Sequence, residues 1–291
     1  MSKIIQLGPS WKGFPVIRKL VVFGDSYSSV EDLYSSTVPD ARAPLGVPFP
    51  GFTWNEVGHP NWIGHLITKY CPKPRYVPPE TAEDVDDQPE LQEMIKDWQD
   101  SPLLVYDYAK GGESVFGVKR QIEQLFKQGM GTQPNWAKWT PEETLFVIWV
   151  GTNDCCGILP DNLKGIFGQY FTTLHSAGAK NFLIIDVPAV HRIPGGRQSM
   201  MSSKNSFGRL IYRILDFVSS HNDVTALLFS SLTAFNLILD DLASHGMNAD
   251  DERKQGGSVW MDHIHPTSQF HERIAQKVAE YLDGVPPFIL M

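Results

Sequence analysis

Five short apolar runs punctuate the chain, at residues 20–25, 103–108, 145–150, 182–187 and 225–229. Each is dense in Val, Ile, Leu or Phe instead of alternating with polar residues, as expected of strands covered on both faces. Between and after them lie longer segments in which apolar positions return at helical spacing: 61–70, 115–128, 162–177, 203–221, 232–244 and 267–282. In the last of these, Ile274, Val278 and Tyr281 fall on one face. Strand–helix alternation predicts an α/β fold with a parallel sheet and helices on both sides. Two segments interrupt the pattern. Residues 27–60 are rich in Pro, Gly and aromatics and predict a long ordered loop. Residues 78–101 carry Glu80, Glu83, Asp84, Asp86, Asp87, Glu90 and Glu93 and predict a solvated insertion, helical around 89–98. No internal repeat or linker divides the chain, so residues 1–291 are expected to form a single domain.

Composition narrows the function classes. The chain has 291 residues, 42% of them apolar, enough for a large buried core. A formal net charge of −8 disfavours nucleic acid and anionic membrane as partners. No window approaches a membrane span, and the apolar start Ile4-Ile5 is too short for a signal peptide. The cysteines, Cys71, Cys155 and Cys156, are odd in number and lack a framework spacing. Adjacent cysteines bridge only with strain, so buried thiols are expected. Together these features predict a cytoplasmic protein. No zinc-ligand spacing, phosphate loop or dinucleotide fingerprint occurs, and no cofactor or metal is expected. The sequence does not fix the oligomeric state.

Three separated segments carry candidate chemistry. Gly24-Asp25-Ser26 ends the first apolar run, Gly151-Thr152-Asn153-Asp154 follows the third, and Asp262-His263-Ile264-His265 precedes Pro266 near the end of the chain. A serine hydroxyl needs a base to become a nucleophile, and a neutral imidazole needs a partner that fixes its tautomer and stabilises the imidazolium. Ser26 is the candidate nucleophile, with Ser28 and Ser29 as neighbours that could be mistaken for it. His265 is the candidate base and Asp262 its orienting carboxylate; the Asp-x-x-His spacing selects His265 over His263. Asn153 supplies an uncharged side-chain donor. Asp25 and Asp154 are read first as carboxylates that hold turns. No Gly-x-Ser-x-Gly elbow is present.

With a fourth segment, Asp107-Tyr108-Ala109-Lys110-Gly111-Gly112-Glu113-Ser114, these motifs resemble those of the SGNH (GDSL) hydrolase superfamily. The family usually has Asn where Asp107 stands. The resemblance implies a three-layer α/β/α fold with a flavodoxin-like sheet, whose ligands sit beyond the carboxyl ends of the strands. It also implies an oxyanion hole formed by the backbone N–H groups of Ser26 and Gly112 and the side-chain amide of Asn153. A narrower pattern, Pro50-Gly51-Phe52-Thr53-Trp54 with Gly58-His59-Pro60-Asn61-Trp62, is similar to fungal acetylesterases of carbohydrate esterase family sixteen. The expected activity is therefore a cofactor-independent serine esterase. Its expected partner is a small-molecule ester with a short acyl group, an acetylated oligosaccharide foremost. The alternatives are a lipid or aryl esterase for longer acyl chains, an acyltransferase built on the same residues, and an inactive carbohydrate-binding relative. Tyr27, Trp54, Asp25 and Ile264 are expected to contact substrate. Phe49, Phe52 and Trp62 are further aromatics of the same region that either stack on ligand or pack the loop.

Overall fold

A computed structural model of the chain describes residues 1–30, 38–79, 88–156, 163–197, 200 and 214–290. Its centre is a six-stranded sheet of β1 (Lys3–Gln6), β2 (Lys19–Gly24), β3 (Leu104–Asp107), β4 (Thr144–Trp149), β5 (Asn181–Ile185) and β6 (Thr225–Phe229), ordered β1-β6-β5-β4-β2-β3. The five strands β2 to β6 are mutually parallel and match the five apolar runs within a residue or two. Their order reverses between β2 and β4, the topology in which ligands bind beyond the strands' carboxyl ends.

The sheet is not wholly parallel, as the sequence pattern suggested. β1 runs antiparallel to β6, with Lys3 opposite Leu228 and a bulge between Ile4 and Gln6. An edge strand of four residues with one protected side has no period long enough to read. The Gln6 amide donates to the carbonyls of His221 at 2.8 Å and Val224 at 2.9 Å, fixing the strand's exit.

Residues alternate across the sheet, as the strand pleat requires. Leu20, Val22, Val147 and Leu227 face a core shared with α1 (Trp62–His65), α7 (Ser231–Leu239) and α8 (Ser268–Asp283). Val21, Phe23, Phe146 and Ile184 face the opposite core, shared with α3 (Val115–Arg120), α5 (Leu163–Ser176) and α6 (Ile214–Val218). Helices thus cover both faces, giving the three layers. Two predicted helices, 61–70 and 115–128, begin as α-helix and widen into π-type turns at Leu66–Tyr70 and Gln121–Phe126. Of the predicted helix 203–221, residues 203–213 lie outside the described residues. The acidic insertion contains α2 (Pro89–Asp100), whose Trp98 is buried and donates to the Ala41 carbonyl at 2.8 Å, so this helix is anchored to the first core. Acidic residues 80–87 lie outside the described residues. α4 (Thr152–Cys156) follows β4 directly. Among the described residues no helix is long and apolar enough to cross a membrane.

Candidate active site

β2 lies between β3 and β4, so the chain emerging from three adjacent strands meets at one edge. Ser26 follows β2, Gly112 follows β3 and Asn153 follows β4. Gly24 makes the first exit possible, since a Cβ there would lie 2.3 Å from the Trp149 carbonyl oxygen. The Gln121 amide holds the same glycine from the other side, accepting from its N–H at 3.0 Å and donating to its carbonyl at 2.8 Å.

Ser26 is joined to two residues 239 and 236 positions away in a continuous chain. Its Oγ lies 3.0 Å from His265 Nε2, and His265 Nδ1 lies 2.8 Å from Asp262 Oδ2. Asp262 Oδ1 accepts the backbone N–H groups of Ile264 and His265, both at 2.8 Å, so the carboxylate shapes the loop that carries its own histidine. Partial burial pushes the Asp262 carboxyl up, but the hydrogen bonds from the His265 ring and from the two backbone N–H groups outweigh it and hold the group below the usual carboxylate range. With Asp262 ionised, Nδ1 carries the proton and Nε2 faces Ser26 as an acceptor. The rival His263 has a 67% exposed side chain 3.9 Å from Asp262. The neighbouring serines are occupied in the interior: Ser28 is buried and accepts from Trp62 Nε1 at 3.1 Å, and Ser29 is buried as well.

The second and third segments are tied together. Asn153 Nδ2 donates to the Glu113 carbonyl at 2.9 Å, leaving the second amide hydrogen for another acceptor. Asp154 accepts the Val115 N–H through both oxygens at 3.3 and 3.2 Å, and burial pushes its carboxyl up. Gly112 has φ +76°, a left-handed conformation suited to glycine, and open space where a Cβ would sit. Asp107, where the related motif has Asn, accepts from Val30 N–H through Oδ2 at 3.0 Å and from Ala109 N–H through Oδ1 at 2.8 Å. Both acceptors are used, which an amide with one oxygen could not match.

The residues expected to contact substrate separate into two groups. Asp25 and Tyr27 are each 1% exposed and lie in the interior. Asp25 Oδ1 accepts the Tyr27 N–H at 3.1 Å; burial pushes its carboxyl up to about 7, with the Tyr27 bond opposing and the Asp154 charge assisting. Tyr27 donates its hydroxyl to the Ile264 carbonyl at 2.7 Å and packs between Trp149 and Phe235. Ile264 is buried too, so this contact supports the His265 loop from beneath. Trp54 is on the surface: it stacks on His265 with ring centroids 5.1 Å apart. Of the other aromatics, Phe52 is exposed beside Trp54, Trp62 is in the core, and Phe49 packs on Tyr76. Glu56, which no sequence pattern marks, accepts the Ser268 N–H at 2.6 Å and ties the loop to the helix that follows His265.

The sequence matches the GDSL-like Lipase/Acylhydrolase family over residues 20–278. An acetylesterase from Thermothelomyces thermophilus is 25% identical over 300 residues, covering 92% of this chain and 89% of that protein. Among solved structures, a mutant of an acetyl-xylooligosaccharide esterase from Geobacillus Stearmophilus aligns with a TM-score of 0.50 at 14% identity, covering 91% of this chain and 94% of its own. That second likeness is one of fold.

Proposed function

We propose, for a chain that belongs to the GDSL-like lipase/acylhydrolase family, that Ser26 opens carboxylic esters by forming an acyl-enzyme. The protein is a carboxylic ester hydrolase. The observation that carries the mechanism is the chain Ser26 Oγ–His265 Nε2–Asp262. His265 takes the hydroxyl proton as Oγ attacks the acyl carbon. It then delivers that proton to the departing alcohol oxygen. Asp262 stays ionised, holds the ring and stabilises the imidazolium. In the second half, water attacks the acyl-enzyme with His265 again as base, and the acid and free Ser26 are released. Negative charge on the tetrahedral oxygen is met by the N–H groups of Ser26 and Gly112 and the free amide hydrogen of Asn153. Each such donor is worth about 3 kcal/mol in transition-state stabilisation.

The substrate of first choice is a short acyl ester, an acetyl group on a sugar. Supporting it are the Pro50–Trp54 and Gly58–Trp62 segments and the relative named as an acetylesterase. Nitrophenyl esters from acetyl to octanoyl, run beside acetylated xylo-oligosaccharides, test this. Activity is expected to fall steeply with acyl length, with acetate released from the sugars. Faster octanoyl than acetyl hydrolysis, with no acetate released, would replace this reading with a lipid esterase.

A further inference from the structure

The surface beside His265 is aromatic. Trp54 lies against the imidazole with the ring planes inclined by 30°, and Phe52 meets the indole at 6.3 Å and 80°. Trp54 is 42% exposed and Phe52 68%, so much of the paired ring surface meets water. Single exposed hydrophobics are ordinary, whereas two in contact beside a reacting group need a reason.

The pair is also held in place. A Cβ on Gly111 would lie 2.2 Å from Trp54 Cζ2, so glycine forms the seat on which the indole rests. Thr53 Oγ1 donates to the His59 carbonyl at 2.9 Å, Asn55 Nδ2 to the same carbonyl at 3.0 Å, and the Glu56 carboxylate caps α8. Thr53 Oγ1 and Asn55 Nδ2 thus hold the loop's own shape and Glu56 ties it to α8, while its two aromatic tips are left outside.

The direction of proton transfer says which part of an ester meets these rings. Having taken the Ser26 proton, His265 Nε2 must reach the leaving oxygen. The group attached to that oxygen then extends past the ring that covers the imidazole. Resting on the esterase reading above, we infer that Trp54 and Phe52 form a binding subsite for the alcohol part of the substrate, and that the group it takes is a sugar ring. A pyranose has an apolar C–H face that packs on the electron-rich face of an aromatic ring, while its hydroxyls stay in water. An open shelf suits such a group. A hydrocarbon chain would gain more from an enclosed pocket.

The test separates this subsite from the chemistry. Unacetylated xylotetraose, which has no ester bond, is titrated calorimetrically into the wild-type protein, Phe52→Ala and Trp54→Ala. In parallel, kcat/KM is measured for acetylated xylotetraose and for ethyl acetate, whose alcohol is too small to reach the shelf. The expected result is xylotetraose binding to the wild type, weakened at least tenfold in Trp54→Ala and severalfold in Phe52→Ala. The ratio of sugar to ethyl acetate kcat/KM should fall with it. Phe52 does not touch His265, so its variant guards against a general loss through the stacked imidazole. No xylotetraose binding to the wild type, or unchanged affinity and ratio in both variants, overturns the subsite even if ethyl acetate is hydrolysed and the esterase reading stands. Absence of turnover of any ester by the wild type would instead overturn the esterase reading, and the binding titration would still decide the subsite.

Discussion

Among the described residues two serine–histidine–carboxylate sets can be compared, and the serine of one and the histidine of the other stand only three positions apart on the C-terminal segment, at Ser268 and His265. In the first set, Ser26 Oγ is 3.0 Å from His265 Nε2 and Nδ1 is 2.8 Å from Asp262. In the second, Ser268 Oγ is 2.9 Å from His65 Nε2, and His65 Nδ1 faces Glu272 at 3.9 Å. Ser268 and His65 even line a cavity of about 530 Å³. Proximity alone does not separate the two sets; proton direction does. Ser268 Oγ donates to the Pro60 carbonyl at 2.7 Å, so its one proton is committed and His65 Nε2 must be the donor. His65 Nδ1 is then a bare buried acceptor with no hydrogen-bond partner. Burial draws His65 down to about 4, outweighing the lift from Glu272. The Ser268 N–H, which an oxyanion would require, is bound by the Glu56 carboxylate at 2.6 Å. Negative charge already stands where a tetrahedral oxygen would need a donor. The second set therefore braces a helix start, whereas in the first the basic nitrogen faces its own serine as an acceptor.

The largest expected effect is the most direct way to break this contrast. Ser26→Ala should lower kcat on the order of 10⁴–10⁶-fold, while Ser268→Ala leaves ester hydrolysis near the wild-type rate. Peptide mapping after a phosphonylating reagent should find the label on Ser26; a label on Ser268 would invert the assignment. His265→Ala should approach the Ser26→Ala loss, and Asp262→Asn should cost less, because it keeps the base and loses its orientation. Asn153→Ala should lower kcat by about 10²–10³ with KM little changed. Loss in KM alone would make Asn153 a ground-state binding group.

Titration sharpens the comparison in a different observable. A histidine held at about 4 in the fold binds its proton near 6.5 when unfolded, so the unfolded chain takes up the proton first as pH falls. The stabilisation from neutral His65 is thus complete above about 6.5 and lost as pH falls from there to about 4. Over that window wild type should lose on the order of 3 kcal/mol relative to His65→Gln, read from urea midpoints at each pH. Buried His271, drawn down by burial to about 3, should act in the same sense. A pH-independent difference between wild type and His65→Gln would remove the contrast. The smallest effect concerns Glu56. Glu56→Gln keeps an acceptor for the Ser268 N–H but loses the charge at the start of α8, which should cost about 0.3–1 kcal/mol and leave Ser268 unlabelled.

What could be read from sequence was what is local. Ser26, Asn153, Asp262 and His265 each sit in a short motif whose neighbours set the turn, and the five buried strands announce themselves as apolar runs. Sequence adjacency did not carry side-chain orientation. At the turn after β2, Ser26 points to the site while Asp25 and Tyr27 on either side of it are turned inward. Glu56 and Gln121 were invisible because their partners lie 212 and 97 positions away. The second serine–histidine pair was invisible for the same reason, with 203 positions between Ser268 and His65.

The pairing of β1 with β6 sets an order of events on the ribosome. Lys3 must wait for Leu228 before its ladder can form. At a synthesis rate of roughly 5–20 residues per second, that strand stays without a partner on the order of ten to forty seconds. The nascent chain can build its parallel strands as they arrive, yet its first strand is sealed only after β6 emerges. Agents that bind exposed strand edges should therefore compete with folding in that interval and not after it.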